Sequence, residues 1–301
     1  MANRHFGEIG DVWKHLALSE ILAIEKPDHY WESHAGSADY LLTTSLPRDY
    51  GVYYFMTHCT LSPDLAESQY YSILFKLFSR DKALYPGSPY IAMSILQKIN
   101  TSYIFCDLDQ ESLDSIELRA KDFQIPNSLL SLKKQDGINI IMEETQRVGV
   151  QSGNIFVFID PYDPFQRNSH QNSSVDLFYH CTLKGLKAVL WYGFESLSTH
   201  QHFVNSMEKI LHPIENSFTK NTVWRMEIIP EVITSGKFDH SGSYIGSGMI
   251  CCNLSSQCYA ACKEKGMALT KIYREAILPD NRSGALRLNI QSITTEKNRV
   301  L

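Results

Sequence analysis

Asp160, Pro161 and Tyr162 are the residues of this chain best placed to do chemistry. They follow directly on Ile155-Phe156-Val157-Phe158-Ile159. That apolar run is short and bulky, as expected of a strand buried on both faces of a parallel sheet. The carboxyl end of such a strand is where open α/β sheets bind ligands. A carboxylate and a proline carbonyl accept hydrogen bonds, and an aromatic ring offers a flat face. Together they suit holding an exocyclic amine while stacking on a planar base. Acceptance of both amine N–H bonds by Asp160 and the Pro161 carbonyl would favour a pyramidal, nucleophilic nitrogen. A base in a stacked helix must be flipped out to reach such a pocket. Stacking on Tyr162 would then contribute about 1–3 kcal/mol.

Two further acids stand at the ends of expected strands. Ser102–Cys106 runs into Asp107, and Leu129–Leu132 is followed by Asp136-Gly137. In a nucleoside-binding sheet, the carboxylate after the second strand accepts from both ribose hydroxyls, and the next acid can reach the adenine edge. The competing account is that each acid caps the helix behind it. Glycine usage separates the cofactor classes. After the first expected strand, His29–Ser33, the turn Ala35-Gly36-Ser37-Ala38 lacks the G-x-G-x-x-G that brings a backbone onto a pyrophosphate. S-adenosylmethionine carries no phosphate, so methyl transfer is preferred to hydride transfer.

The elements that must position these residues alternate along the chain. Fifth and sixth strands are expected at Ala188–Tyr192 and Thr222–Ile229, and helices at Asp11–Ile24, Gln110–Asp122, Ile138–Val148 and Phe203–Leu211. Strands separated by helix-length segments imply right-handed crossovers and a mostly parallel sheet with helices on both faces. Ser247–Cys252 reads as a late, antiparallel edge strand. The stretch 46–97, rich in Tyr, Leu and Phe between Pro47 and Pro89, breaks the alternation and reads as a helical insertion. One domain, residues 1–280, is expected. From Asn281 the chain carries Arg282, Arg287, Lys297 and Arg299 among polar residues and reads as a frayed tail.

Composition fits such an enzyme. With 301 residues, 44% hydrophobic and 20% charged, the chain can bury a sizeable core. No stretch approaches the roughly 18 apolar residues of a membrane span, and Met-Ala-Asn-Arg-His lacks an apolar signal region. Seven cysteines, an odd number, read as reduced thiols of a cytoplasmic protein. Cys251, Cys252, Cys258 and Cys262 lack paired Cys-x-x-Cys knuckles, so buried thiols are favoured over a zinc site, and no metal is expected. A net charge of −5 argues against indiscriminate polyanion binding, so a nucleic-acid substrate would need a local basic face.

Six segments occur in an order that resembles the RlmJ-type family of 23S ribosomal RNA adenine-N6 methyltransferases. They are His5-Phe6-Gly7-Glu8-Ile9-Gly10-Asp11-Val12-Trp13-Lys14-His15, Ser33-His34-Ala35-Gly36, Tyr85-Pro86-Gly87-Ser88-Pro89, Asp136-Gly137, Ile159-Asp160-Pro161 and Gly246-Ser247-Gly248-Met249-Ile250. The resemblance implies a Rossmann-like class I methyltransferase with a seven-stranded sheet and a small helical insertion. It implies that His15, His34, Gly36, Ser88, Asp107 and Asp136-Gly137 line the S-adenosylmethionine site. Asp160 would be the catalytic acceptor for the adenine amine, with Pro161 and Tyr162 beside it. His5 and Lys14 would close over the cofactor and face the RNA. The implied partner is ribosomal RNA, with no obligate protein partner.

The chain departs from the family at the acceptor motif. Asp160-Pro161-Tyr162-Asp163 replaces Asp-Pro-Pro-Tyr, so the aromatic residue arrives one position early. Asp107 stands where the family usually has Glu, and Ser37 and Ala38 follow Gly36 where it has a second glycine. Methylation of another amine acceptor, or RNA or nucleotide binding without catalysis, are the alternative functions.

Overall fold

A computed structural model of the chain describes residues 6–79, 83–148, 154–217, 223–234, 246–278 and 281–292. Its strands are β1 (His29–Glu32), β2 (Asp39–Leu41), β3 (Leu84–Pro86), β4 (Ser102–Cys106), β5 (Leu130–Lys133), β6 (Ile155–Ile159), β7 (Lys187–Phe194), β8 (Val223–Pro230), β9 (Gly246–Cys252) and β10 (Leu286–Ser292). Eight of them form one mixed sheet in the order β10-β8-β9-β7-β6-β1-β4-β5. The run β5-β4-β1-β6-β7 is parallel, and β9, β8 and β10 continue it with antiparallel pairings. The result is a Rossmann-like α/β fold.

Helices cover both faces, as consecutive residues of β7 show. Trp191 lies beneath Lys14 of the first helix, Ile9–Glu25, whereas Tyr192 stacks on Phe203 of the helix Leu197–Ser217, with ring centroids 3.7 Å apart. Successive side chains of a strand point to opposite faces, so these helices lie on opposite sides. Strand β6 is buried along its whole length, Ile155 to Ile159, as expected of a central strand under two helical layers.

The segment after β1 is largely helical. Short turns of helix run from Leu46 to Ala66, followed by Gln69–Phe78, and β2 pairs with β3 in a small separate ladder. The helix Ser88–Leu96 packs on the first helix and returns the chain to β4.

Two expectations are corrected. Ser247–Cys252 is antiparallel but lies inside the sheet, between β7 and β8, rather than at its edge. The edge belongs to β10, which comes from the segment expected to fray, so the sheet has eight strands rather than seven. Leu286, Leu288 and Ile290 alternate with Arg287, Asn289 and Gln291, the period of a half-buried strand. Asn289 donates to the buried Glu227 of β8 at 2.7 Å, and Arg225 donates to Gln291. Polar residues that looked solvated are anchors.

Candidate active site

The ends of β1, β4, β5 and β6 lie side by side, and the loops leaving them carry Gly36, Asp107, Asp136 and Asp160. His34 sits among the three acids. Burial pulls its pKa down, while Asp160, Asp136 and Asp107 oppose that shift. Its Nδ1 lies 2.8 Å from Ser33 Oγ. One loop at the end of β1 therefore faces all three carboxylates.

Asp107 organises the turn after β1. Its Oδ2 accepts from the Gly36 N–H at 2.7 Å, and its Oδ1 from the Asp109 N–H at 2.8 Å. Gly36 has φ +63°, and a Cβ there would stand 2.7 Å from the Tyr40 hydroxyl, so a side chain at this turn would be strained. A carboxylate has about four acceptor positions, so Asp107 can still receive a diol. Beside it Leu108, 72% exposed, presents an apolar side chain to solvent.

Asp136 behaves differently. Its Oδ1 accepts from the N–H groups of Ile138 and Asn139 at 3.1 and 3.2 Å, which makes it the cap of the helix Gly137–Val148. Gly137 allows that helix to abut the end of β1, because a Cβ would fall 2.1 Å from the Ser33 carbonyl oxygen.

Asp160 is half-buried and held by Lys14, whose ammonium lies 2.7 Å from Asp160 Oδ2 and 2.9 Å from Asp11 Oδ1. Burial opposes the lysine charge, but the two carboxylates outweigh it and hold the ammonium above its ordinary range. The Lys14 ammonium also stands 5.6 Å from the Trp191 ring centroid. Tyr162 projects fully into solvent. Asp163 turns back to accept from the Phe165 N–H at 2.9 Å, and Phe165 packs on His202 and Phe203. Tyr162, not Phe165, is the aromatic ring free to meet a ligand.

Other expected residues serve different contacts. His15 is buried, and its Nδ1 lies 2.9 Å from the Tyr85 hydroxyl, which in turn lies 3.0 Å from that of Tyr70. Burial and then Lys14 hold its pKa well below the usual histidine value. It ties the first helix to the insertion. The Ser88 hydroxyl donates to Glu32, a fully buried carboxyl that also accepts from Tyr30 at 2.9 Å. His5 lies outside the described residues. Phe6, next in that motif, stacks on Tyr40 with centroids 4.7 Å apart.

Glu32 and Leu108 were not singled out from the sequence. Glu32 ends a strand in an acid two residues before His34, and Leu108 stands alone between two aspartates. Those were the available signals.

The cysteines Cys251, Cys252, Cys258 and Cys262 are all buried, and burial pushes the Cys252 and Cys258 thiols up to about 12. Cys258 donates to Glu25 at 3.0 Å and Cys252 to the Leu186 carbonyl at 3.5 Å. Among the described residues no cluster has the arrangement of a metal site, and no helix is long and apolar enough to cross a membrane. A broad groove between Pro63, the helix Ser256–Ile272 and Leu286 is lined by none of Gly36, Asp107, Asp136 and Asp160.

No protein-family model and no curated protein matches the chain. Among solved structures, protein LPL1258 from Legionella pneumophila, described under the family model DUF519, is similar over 96% of this chain and 98% of its own. The TM-score is 0.70 and the identity 20%. The shared fold thus spans nearly the whole of both chains. Looser likenesses are to a SAM-dependent methyltransferase from Agrobacterium tumefaciens (TM-score 0.35, 13% identity, 55% of this chain and 52% of that one). A similar one is to the O-methyltransferase TomG from Streptomyces achromogenes, in complex with SAM (0.40, 10%, 79% and 78%). At those scores neither bears on the chemistry of this chain.

Proposed function

We propose that the protein is an S-adenosylmethionine-dependent methyltransferase that methylates an adenine N6 of 23S ribosomal RNA. The observation that carries this reading is that adjacent β6, β1, β4 and β5 bring Asp160, His34, Asp107 and Asp136 to one end of the sheet, with Asp107 hydrogen-bonded to Gly36 and Gly137 packed on Ser33. The RlmJ-type resemblance adds the substrate.

The residues present fit the cofactor. Asp107 has acceptor capacity left for two ribose hydroxyls, Leu108 offers an apolar surface to a flat ring, and Gly36 keeps the turn free of a side chain. When bound, S-adenosylmethionine supplies a methyl group on a positively charged sulfur that departs as a neutral thioether. The chain's own residues then have two tasks. Asp160 and the Pro161 carbonyl hold the acceptor amine by its N–H bonds and fix the nitrogen for in-line approach. Lys14 fixes the Asp160 carboxylate through Oδ2, which leaves Oδ1 for the amine. The amine proton released on methylation passes from that hydrogen bond to Asp160 and on to solvent at the half-open cleft. Tyr162, fully exposed at the mouth, stacks on the flipped base.

An exposed ring beside a half-open carboxylate suits an acceptor carried on a large molecule better than a small one enclosed in a pocket. Arg167, more than half exposed in the same loop, is paired with Asp176 at 3.4 Å and hydrogen-bonded to the Gln171 carbonyl, so a phosphate there would compete with those partners. The first test is calorimetric titration with S-adenosylhomocysteine beside an Asp107→Ala control. It is followed by transfer of labelled methyl from S-adenosylmethionine to protein-free ribosomal RNA. Micromolar binding that the control abolishes, with methyl recovered as N6-methyladenine, is expected. A folded sample that binds no S-adenosylhomocysteine would sink the assignment.

A further inference from the structure

Asn168 lies in the polar loop downstream of Asp160 and reaches across to the acid after β5. Its side-chain N–H donates to Asp136 Oδ1 at 3.0 Å and to Asn139 Oδ1 at 3.2 Å. Its own Oδ1 accepts from the backbone N–H groups of His170 and Asn172, each at 3.0 Å, so the amide orientation is fixed from both ends. Asp136 Oδ1 therefore takes three donors, from Ile138, Asn139 and Asn168. An oxygen with two lone pairs is saturated by that number. Among the described residues every donor to this carboxylate falls on Oδ1, which leaves Oδ2 as the acceptor for an incoming N–H.

We propose that Asn168 is a positioning residue that locks the Asp136 carboxylate so that Oδ2 accepts from the exocyclic amine of the cofactor's adenine. The inference rests on the cofactor reading above and deepens it. Without Asn168 the two backbone donors still cap the helix Gly137–Val148, so its folding does not depend on the third bond. What is lost is the restraint imposed by a side chain of the acceptor loop. The carboxylate then turns more freely and meets the adenine amine less often in the right orientation. Cofactor recognition thus depends on a residue of the acceptor loop rather than on the cofactor loops alone.

The experiment titrates wild type, Asn168→Ala and Asn168→Asp with S-adenosylhomocysteine and with S-inosylhomocysteine, whose base has a carbonyl in place of the amine. Thermal melting of each ligand-free protein runs beside it. Asn168→Ala is expected to weaken S-adenosylhomocysteine binding roughly tenfold, the scale of one hydrogen bond. Asn168→Asp, which sets a second carboxylate against Asp136, weakens it further. The inosine ligand should bind the wild type weakly and be indifferent to Asn168→Ala, with each variant still melting cooperatively. Equal affinity of wild type and Asn168→Ala for S-adenosylhomocysteine would overturn the proposal. So would an equal loss for both ligands, which marks a merely structural role. A wild type that binds neither ligand overturns the cofactor reading itself, a result distinguishable from both.

Discussion

Two glutamates without exposed surface lie on opposite sides of the sheet and are handled in opposite ways. Glu32, on the parallel side that carries the site, is met by two hydroxyls, Ser88 and Tyr30. Burial pushes its pKa well above the carboxylate range, and nearby Asp160 adds to the shift. Glu227, on the antiparallel side, faces Tyr192, Asn289, His200 at 2.8 Å and Arg225 at 3.4 Å. Burial there also opposes the charge, but these partners outweigh it and hold the pKa below the usual value. Burial is the same; two hydroxyl donors do not offset it at Glu32, whereas at Glu227 a guanidinium and further donors outweigh it. The antiparallel half uses its buried charge to join β8, β10 and the helix Leu197–Ser217. The parallel half places an acid paired with Lys14, Asp160, where solvent and substrate can reach it.

Substitutions should separate the two halves. The largest effect is expected for Glu227→Ala, which leaves Arg225 buried beside a lost partner. About 3–5 kcal/mol of stability should disappear in urea denaturation, while the fraction that remains folded binds S-adenosylhomocysteine normally. Loss of cofactor binding by that folded fraction would break the division. Asp160→Asn should do the reverse. It should lower turnover roughly 100- to 1,000-fold with unchanged cofactor affinity, and cost less stability than Glu227→Ala because Lys14 keeps Asp11 as a partner. Tyr162→Ala comes next. As a fully exposed ring it should leave stability alone and weaken RNA binding by about 1–3 kcal/mol, read as a raised KM.

The smallest effect is the most diagnostic, because its sign depends on pH. A carboxyl whose folded pKa is raised binds its proton more tightly in the native state. Its presence lowers stability as pH climbs from the unfolded value, about 4.3, toward the folded one. Glu32→Gln removes that dependence, so the variant should gain on the wild type as pH rises above the unfolded value. Glu227, with a depressed folded pKa, contributes stability above the unfolded value that is lost as pH falls through the folded one. Glu227→Gln should therefore lose most near neutrality and converge on the wild type in acid. Parallel rather than opposed pH profiles, measured by denaturation from about pH 2 to pH 8, would refute these opposite shifts.

Much of the parallel half was legible along the chain. Ile155–Ile159 and Gln110–Asp122 end where the residue pattern ends them, because a continuous apolar run and an amphipathic run each carry their own boundary. The helix Ser174–Leu183 was missed although Ser173 and Asp176 form a capping box in front of it. The polar segment from Gln166 hid its start. The helix Ser256–Ile272 was missed too, because its cysteines drew a metal question when they are core residues under the sheet.

The sequence by itself determined the periodicities, and with them a Rossmann-like alternation and the acids at the strand ends. Those signals are local, since each strand or helix must hide its own apolar face. Only the tertiary structure decided that β9 lies inside the sheet and that the polar run Leu286–Ser292 closes its edge. It alone separated the three acids into one that organises a turn, one that caps a helix and one paired with Lys14. Partners brought together from distant parts of the chain set those roles. A carboxylate's task depends on which donors reach it, and only the folded chain brings them.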